Sequence, residues 1–175
     1  MDERERSGFS AAWVAAAAGA LPFLAVHLGL WISISAGTVE PCWPYVDGGT
    51  SISRACRTEP AVHVFRSLVL PSAGAIAATW GIASAWIQRE NLATTRARRW
   101  MLTLGLLGAL FLVLYATFLG TQGPTYRLLR RYGVYVFFAG TSIAELILTV
   151  ILVRKRPPAL ERWVRRAMVA ACALM

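Results

Sequence analysis

The sequence predicts an all-α fold, a polytopic transmembrane helix bundle with four full spans and a truncated fifth. Two observations carry this. Of 175 residues, 57% are hydrophobic and 15% charged, outside the usual balance of a soluble globular domain. The apolar residues also gather into four runs long enough to cross a hydrocarbon core about 30 Å thick, which takes roughly 20 residues of helix. Residues 1–175 read as a single membrane domain.

The first span runs from Ala11 to Ala36 behind the leader "MDERERSG". A signal peptide is the alternative, but this leader is mixed in charge and the apolar run exceeds the roughly 7 to 15 residues of a signal core. The second span, Ala61 to Gln88, follows a polar loop at 37–60. Pro22 and Pro71 each remove a backbone donor inside these spans, so kinks are expected there. The third and fourth spans cover Trp100 to Thr121 and Gly133 to Val153. A fifth apolar run, Ala167 to Met175, is too short to cross. It reads as the start of a truncated span; the alternative is a segment folded back against the membrane.

Net charge is +9. With a cytoplasmic N-terminus, the basic segments 89–99 and 154–166 both fall inside, as the positive-inside bias requires. Arg89, Arg96, Arg98 and Arg99 lie in the first segment; Arg154, Lys155, Arg156, Arg162, Arg165 and Arg166 lie in the second. No nucleic-acid signature accompanies the charge, so anionic lipid headgroups are the expected partner. Trp13, Trp31, Trp86, Trp100 and Tyr132 stand near span ends, where amphipathic rings favour the headgroup level.

Small residues recur four apart at Gly74 and Ala78, Gly81 and Ala85, and Gly105 and Ala109, a spacing that lets helix backbones approach. Packing within the bundle is the first reading and a face for a membrane-protein partner the second. His27 and Glu145 sit near the middle of spans, where an ionisable group is expensive. Glu145 is either a proton- or cation-responsive group, in company with His27, Thr141 or Ser142, or a hydrogen-bonded glue between helices.

In the loop, "CWPYVDGGTSISRAC" places Cys42 and Cys56 on the non-cytoplasmic side, where a disulfide can persist. A bridge there is the first expectation, worth about 3 kcal/mol on the chain-entropy estimate. A metal site at Cys42, Cys56 and His63, with Asp47, is the rival, although it matches no recognised zinc spacing. In "TQGPTYRLLRRYG", Arg127, Arg130 and Arg131 stand at spacings of three and four. This suggests a short interfacial helix whose guanidinium groups either hold lipid phosphates or simply anchor. No nucleophile, nucleotide or metal motif is present, so no catalytic residue, cofactor or metal is assigned.

The loop "SAGTVEPCWPYVDGGTS" resembles the first-loop signature of the damage-regulated autophagy modulator (DRAM) proteins, grouped with the suppressor-of-four-kinase and GPI-anchor lipid-remodelling membrane proteins. Gly37 and Val39 follow the first span, and Pro44, Tyr45 and Asp47 match a Pro-Tyr-hydrophobic-Ser-Asp pattern before a glycine. The serine of that pattern is missing, and Glu59-Pro60 reverses its closing Pro-Glu; Phe65 supplies its aromatic. The resemblance implies five or six spans and a role in lipid organisation, autophagy or GPI-lipid remodelling. The resulting expectation is a non-catalytic lipid-associated regulator or scaffold. Alternatives are a lipid-remodelling enzyme using Asp47, His63 and Glu145, and a proton-coupled transporter using Glu145 with His27.

Overall fold

The computed structural model describes residues 3–46, 48–157, 166, 168–170 and 172, with side chains from residue 11 onward. Among the described residues five helices have both bounds: α1 (Glu3–Ser35), α2 (Ile52–Ala55), α3 (Ala61–Arg89), α4 (Thr95–Phe118) and α5 (Pro124–Lys155). All four long helices carry stretches long and apolar enough to cross a membrane. The chain is a multi-pass membrane protein. Exposed Phe23, Trp31, Leu110, Tyr135 and Phe138 put apolar surface on its outside, which water would not tolerate at this density.

Local chemistry sets the helix ends. Gly37 stands just past α1 at φ +67°, a left-handed position that glycine adopts without steric cost. Thr94 caps α4 by accepting from Ala97 N at 3.3 Å. Pro124 opens α5, where its missing N–H is not needed. Both α1 and α3 continue through Pro22 and Pro71.

Packing is sequential: α1 on α3, α3 on α4, α4 on α5. Neighbours alternate in direction. At one end Arg98 near the start of α4 donates to Ser84 near the end of α3 at 3.0 Å. The other end, called the loop end below, carries residues 36–60 and 119–123 together. Because contacts run in series, α1 and α5 become the two flanks rather than a closed ring.

The small-residue expectation divides. A Cβ on Gly105 would run into the Trp80 ring, and one on Gly140 would lie 2.8 Å from Leu104 O, so these glycines bring α3 and α5 onto α4. Gly74 and Gly81 have nothing within 4 Å of an added Cβ, and Ala78 and Ala85 are exposed beside them. Intramolecular packing is therefore corrected for that stripe, which faces outward.

The expected short interfacial helix is also corrected. Residues 127–131 form the opening turns of α5, a continuous helix of 32 residues and about 48 Å. Such a length exceeds the hydrocarbon core and carries those arginines past it. Of the fifth run, Cys172 Sγ lies 3.3 Å from Thr149 Oγ1 and Met168 packs against the inner cluster around Trp80 and Met101. Arg162 and Arg165 lie outside the described residues.

Candidate functional site

The loop end is built on the C-terminus of α4, whose last carbonyls have no helical partners of their own. Two arginines from flanking helices supply donors. Arg66 on α3 donates to Ala116 O at 3.2 Å and to Leu119 O at 2.5 Å. Arg130 on α5 donates to Phe118 O at 3.1 Å and also to Thr121 O. Their positive charge faces the negative end of the helix dipole, which favours both contacts. Arg130, expected as a lipid-headgroup candidate, thus gives one terminal nitrogen, Nη1, to the protein backbone.

The two connecting segments meet at Gly120. Its φ is +88°, and a Cβ there would fall 2.8 Å from Arg57 O. Only glycine fits both demands. Around this junction opens a cavity of about 720 Å³. Arg57, Thr58 and Glu59 line it from one segment, Gln122 from the other, and Arg127 and Arg130 from α5. Arg57 gives only Nε to the protein, to Ser53 O at 3.2 Å. Arg127 is exposed and has no protein partner among the described residues. Glu59 brings the one carboxylate of the lining, 3.4 Å from His63 Nε2. Arg131 does not line this cavity; it lies along a shallower hollow with Pro124, Leu128 and Arg127, which lines both.

A second cavity, about 360 Å³, opens between the two flanking helices. Pro22 and Val26 of α1 form one wall, and Val134, Phe137 and Phe138 of α5 form the other. Phe65, Val69, Leu112 and Tyr115 form its floor, while Ser51, Ile52 and Ser53 lie across it at the loop end. Tyr115 lines this apolar cavity, where its side chain interacts with that of Ser53.

Helix α2 is fixed over this region from the α1 side. The Ser33 hydroxyl donates to Ala55 O, and a Cβ on Gly29 would lie 2.5 Å from Cys56 Sγ. The expected Cys42 to Cys56 bridge is corrected, since both thiols are free. Cys56 is buried against Gly29, whereas Cys42 sits beside Gly49 in the loop turn. Core burial pushes the Cys56 thiol up to about 11 by penalising the thiolate. The rival metal set is not assembled either: no three His, Cys, Asp or Glu side chains cluster among the described residues.

His27 pairs within its own helix and with the loop rather than with Glu145. Its Nδ1 donates to Phe23 O at 2.7 Å, because a carbonyl can only accept. This leaves Nε2 to accept from the Tyr45 hydroxyl at 2.7 Å in the neutral imidazole. Tyr45 thereby ties the opening loop down along α1. Glu145 is half-buried on α5 and has no hydrogen bond to His27, Thr141 or Ser142 among the described residues; the Thr141 hydroxyl is buried without a partner. Gly37, Val39 and Pro44 lie along the loop without polar side-chain roles, and Asp47 lies outside the described residues.

Sequence reading missed Arg66, Arg57, Tyr115 and Gly120. For Arg66 a signal was present in "VHVFRSLVL", where a lone charge within an apolar run calls for a partner. The chain matches no described protein family, no curated protein and no solved structure.

Proposed function

We propose that this chain is a non-catalytic, lipid-associated membrane regulator or scaffold, with the loop-end groove as the place where lipid is held. The observation that carries this reading is the apolar cavity between α1 and α5, which opens between the flanks of a bundle whose solvent is the bilayer. A lipid chain can enter from the side without crossing water. The resemblance of the opening loop to DRAM proteins belongs to the same proposal, with Gly37 ending α1 and Tyr45 seated on His27 as the residues that support it. So does an orientation with the N-terminus and both basic segments in the cytoplasm. The outward stripe of Gly74, Ala78, Gly81 and Ala85 leaves room for a membrane-protein partner.

The enzyme and transporter readings gain no such support. His63 is paired with Glu59, and the expected His27 to Glu145 couple is not formed. A phospholipid bearing a photoreactive acyl chain, incorporated with the purified protein in nanodiscs, tests the proposal. Crosslinks are expected at Phe65, Val69, Leu112 or Phe137, and Glu145→Gln is expected to leave their yield unchanged. Crosslinks spread over the outer faces of α1 and α3, with none in the groove, would sink it.

A further inference from the structure

We propose that the loop end selects an anionic glycerophospholipid from the surrounding bilayer, with its phosphate between Arg57 and Arg127 and one acyl chain in the α1/α5 groove. This rests on the lipid-associated reading above and specifies the lipid class.

The two cavities suit the two halves of such a molecule. One face of α5 connects them, since Arg127, Arg130, Val134 and Phe137 follow at intervals of three, four and three, the spacing of a single helical stripe. From Arg127 to Phe137 this stripe covers about 15 Å along the axis. Arginines stand at its end and apolar side chains below, which is the order of headgroup and chain in one leaflet. Tyr115 lines the apolar groove together with Ser53, with which its side chain interacts.

Charge decides the class. Three arginines and one carboxylate line the upper cavity, so its lining is net positive even with Glu59 counted. Arg130 gives its Nη1 to Phe118 O and Thr121 O, whereas Arg57 keeps both terminal nitrogens free of protein partners and Arg127 its whole guanidinium among the described residues. Guanidinium forks bind phosphate oxygens bidentately and do so more strongly than neutral donors. A zwitterionic lipid can offer the same phosphate. Its tethered cation, however, would meet this positive lining unfavourably.

Arg130 is unsuitable for the test, because its loss would damage the α4 terminus whatever binds. Arg127 is exposed, so Arg127→Gln spares the fold. The experiment is native mass spectrometry of the full chain released from nanodiscs holding equal amounts of phosphatidylglycerol and phosphatidylcholine with identical chains. The wild type is expected to retain the anionic lipid in at least about tenfold excess. Arg127→Gln and Arg57→Gln should each reduce that excess, and Arg131→Gln should preserve it. Filling the groove with Phe137→Trp should reduce retention of both lipids.

Equal retention of the two lipids, abolished by Phe137→Trp, would overturn the headgroup selection while leaving the groove reading intact. Retention of neither lipid would defeat both. Loss of the excess in Arg131→Gln as large as in Arg127→Gln would reduce the effect to general surface charge and overturn the proposed site.

Discussion

Arg66 and Arg130 hold carbonyls at one helix terminus from opposite sides of α4, and the loop end depends on both. Replacing Arg66 by Leu removes two charge-assisted bonds and leaves Leu119 O unpaired in a partly buried setting, while Ala116 O keeps only its bond from Leu119 N. The expected loss is roughly 2 to 3 kcal/mol, read from unfolding in mixed detergent micelles. An unchanged midpoint would show that water replaces the guanidinium. Cys56 offers a second check. Burial raises its thiol from 9.0 to about 11, so the reactive thiolate at pH 8 falls about a hundredfold below that of an unperturbed thiol. In a variant lacking Cys42 and Cys172, alkylation should be slow at pH 8 and accelerate as pH rises toward 11. A rate equal to that of a free thiol peptide at pH 8 would contradict the burial. Individual roles were poorly legible in the sequence for a physical reason. The spacing of Arg127, Arg130 and Arg131 describes one helix, but only packing against α4 decides that Arg130 meets carbonyls while Arg127 faces a cavity. The two cysteines misled similarly, because the sequence spacing suited a bridge while Gly29 on another element offered Cys56 a buried seat.

At the level of elements, the four runs of apolar residues were legible because hydropathy over roughly 20 residues outweighs local detail. Helix ends were less so. Span reasoning placed the fourth span's start at Gly133, while α5 begins at Pro124, since a helix does not stop where the hydrocarbon does. Small-residue spacing identified candidate contact faces without saying which are used. The structure separates them sharply, and a matched pair of substitutions tests the separation. Gly105→Ala sets a methyl against the Trp80 ring near its attachment to the chain, where it cannot swing aside freely; overpacking of this kind costs about 1 to 3 kcal/mol. Gly74→Ala meets nothing and gains helix propensity, so it should be neutral or stabilising by up to about 1 kcal/mol. Both are measured by the same micelle unfolding. Equal destabilisation would mean that the α3 stripe is also packed, for instance against another chain.

For the whole molecule, sequential packing explains why a groove exists. Four helices packed mainly each on the next leave their first and last members facing an unfilled strip, and here α2 crosses one end of it. Each connection also returns the chain across the bundle, so residues 36–60 and 119–123 share one end while Arg89 to Thr95 and Lys155 share the other. Charge bears on which compartment each end faces. Arg89 to Arg99 and Arg154 to Arg156 lie at the same end, and the orientation proposed above puts that end in the cytoplasm on the positive-inside bias, despite the arginines at the loop end. Those loop-end arginines oppose the bias in number, but Arg66 and Arg130 are held by carbonyls and are poorly placed to act as free topology signals. Cysteines introduced singly at Arg96 and Gln122, in a background where Cys42 and Cys172 are serine, should therefore react with a membrane-impermeant maleimide from opposite faces of sealed vesicles. Gln122→Cys is expected to label from the non-cytoplasmic face and Arg96→Cys only after the cytoplasmic face is opened. Labelling of both from one face would break the alternation of α3, α4 and α5, while an exchange of the two faces would keep the bundle and reverse the orientation.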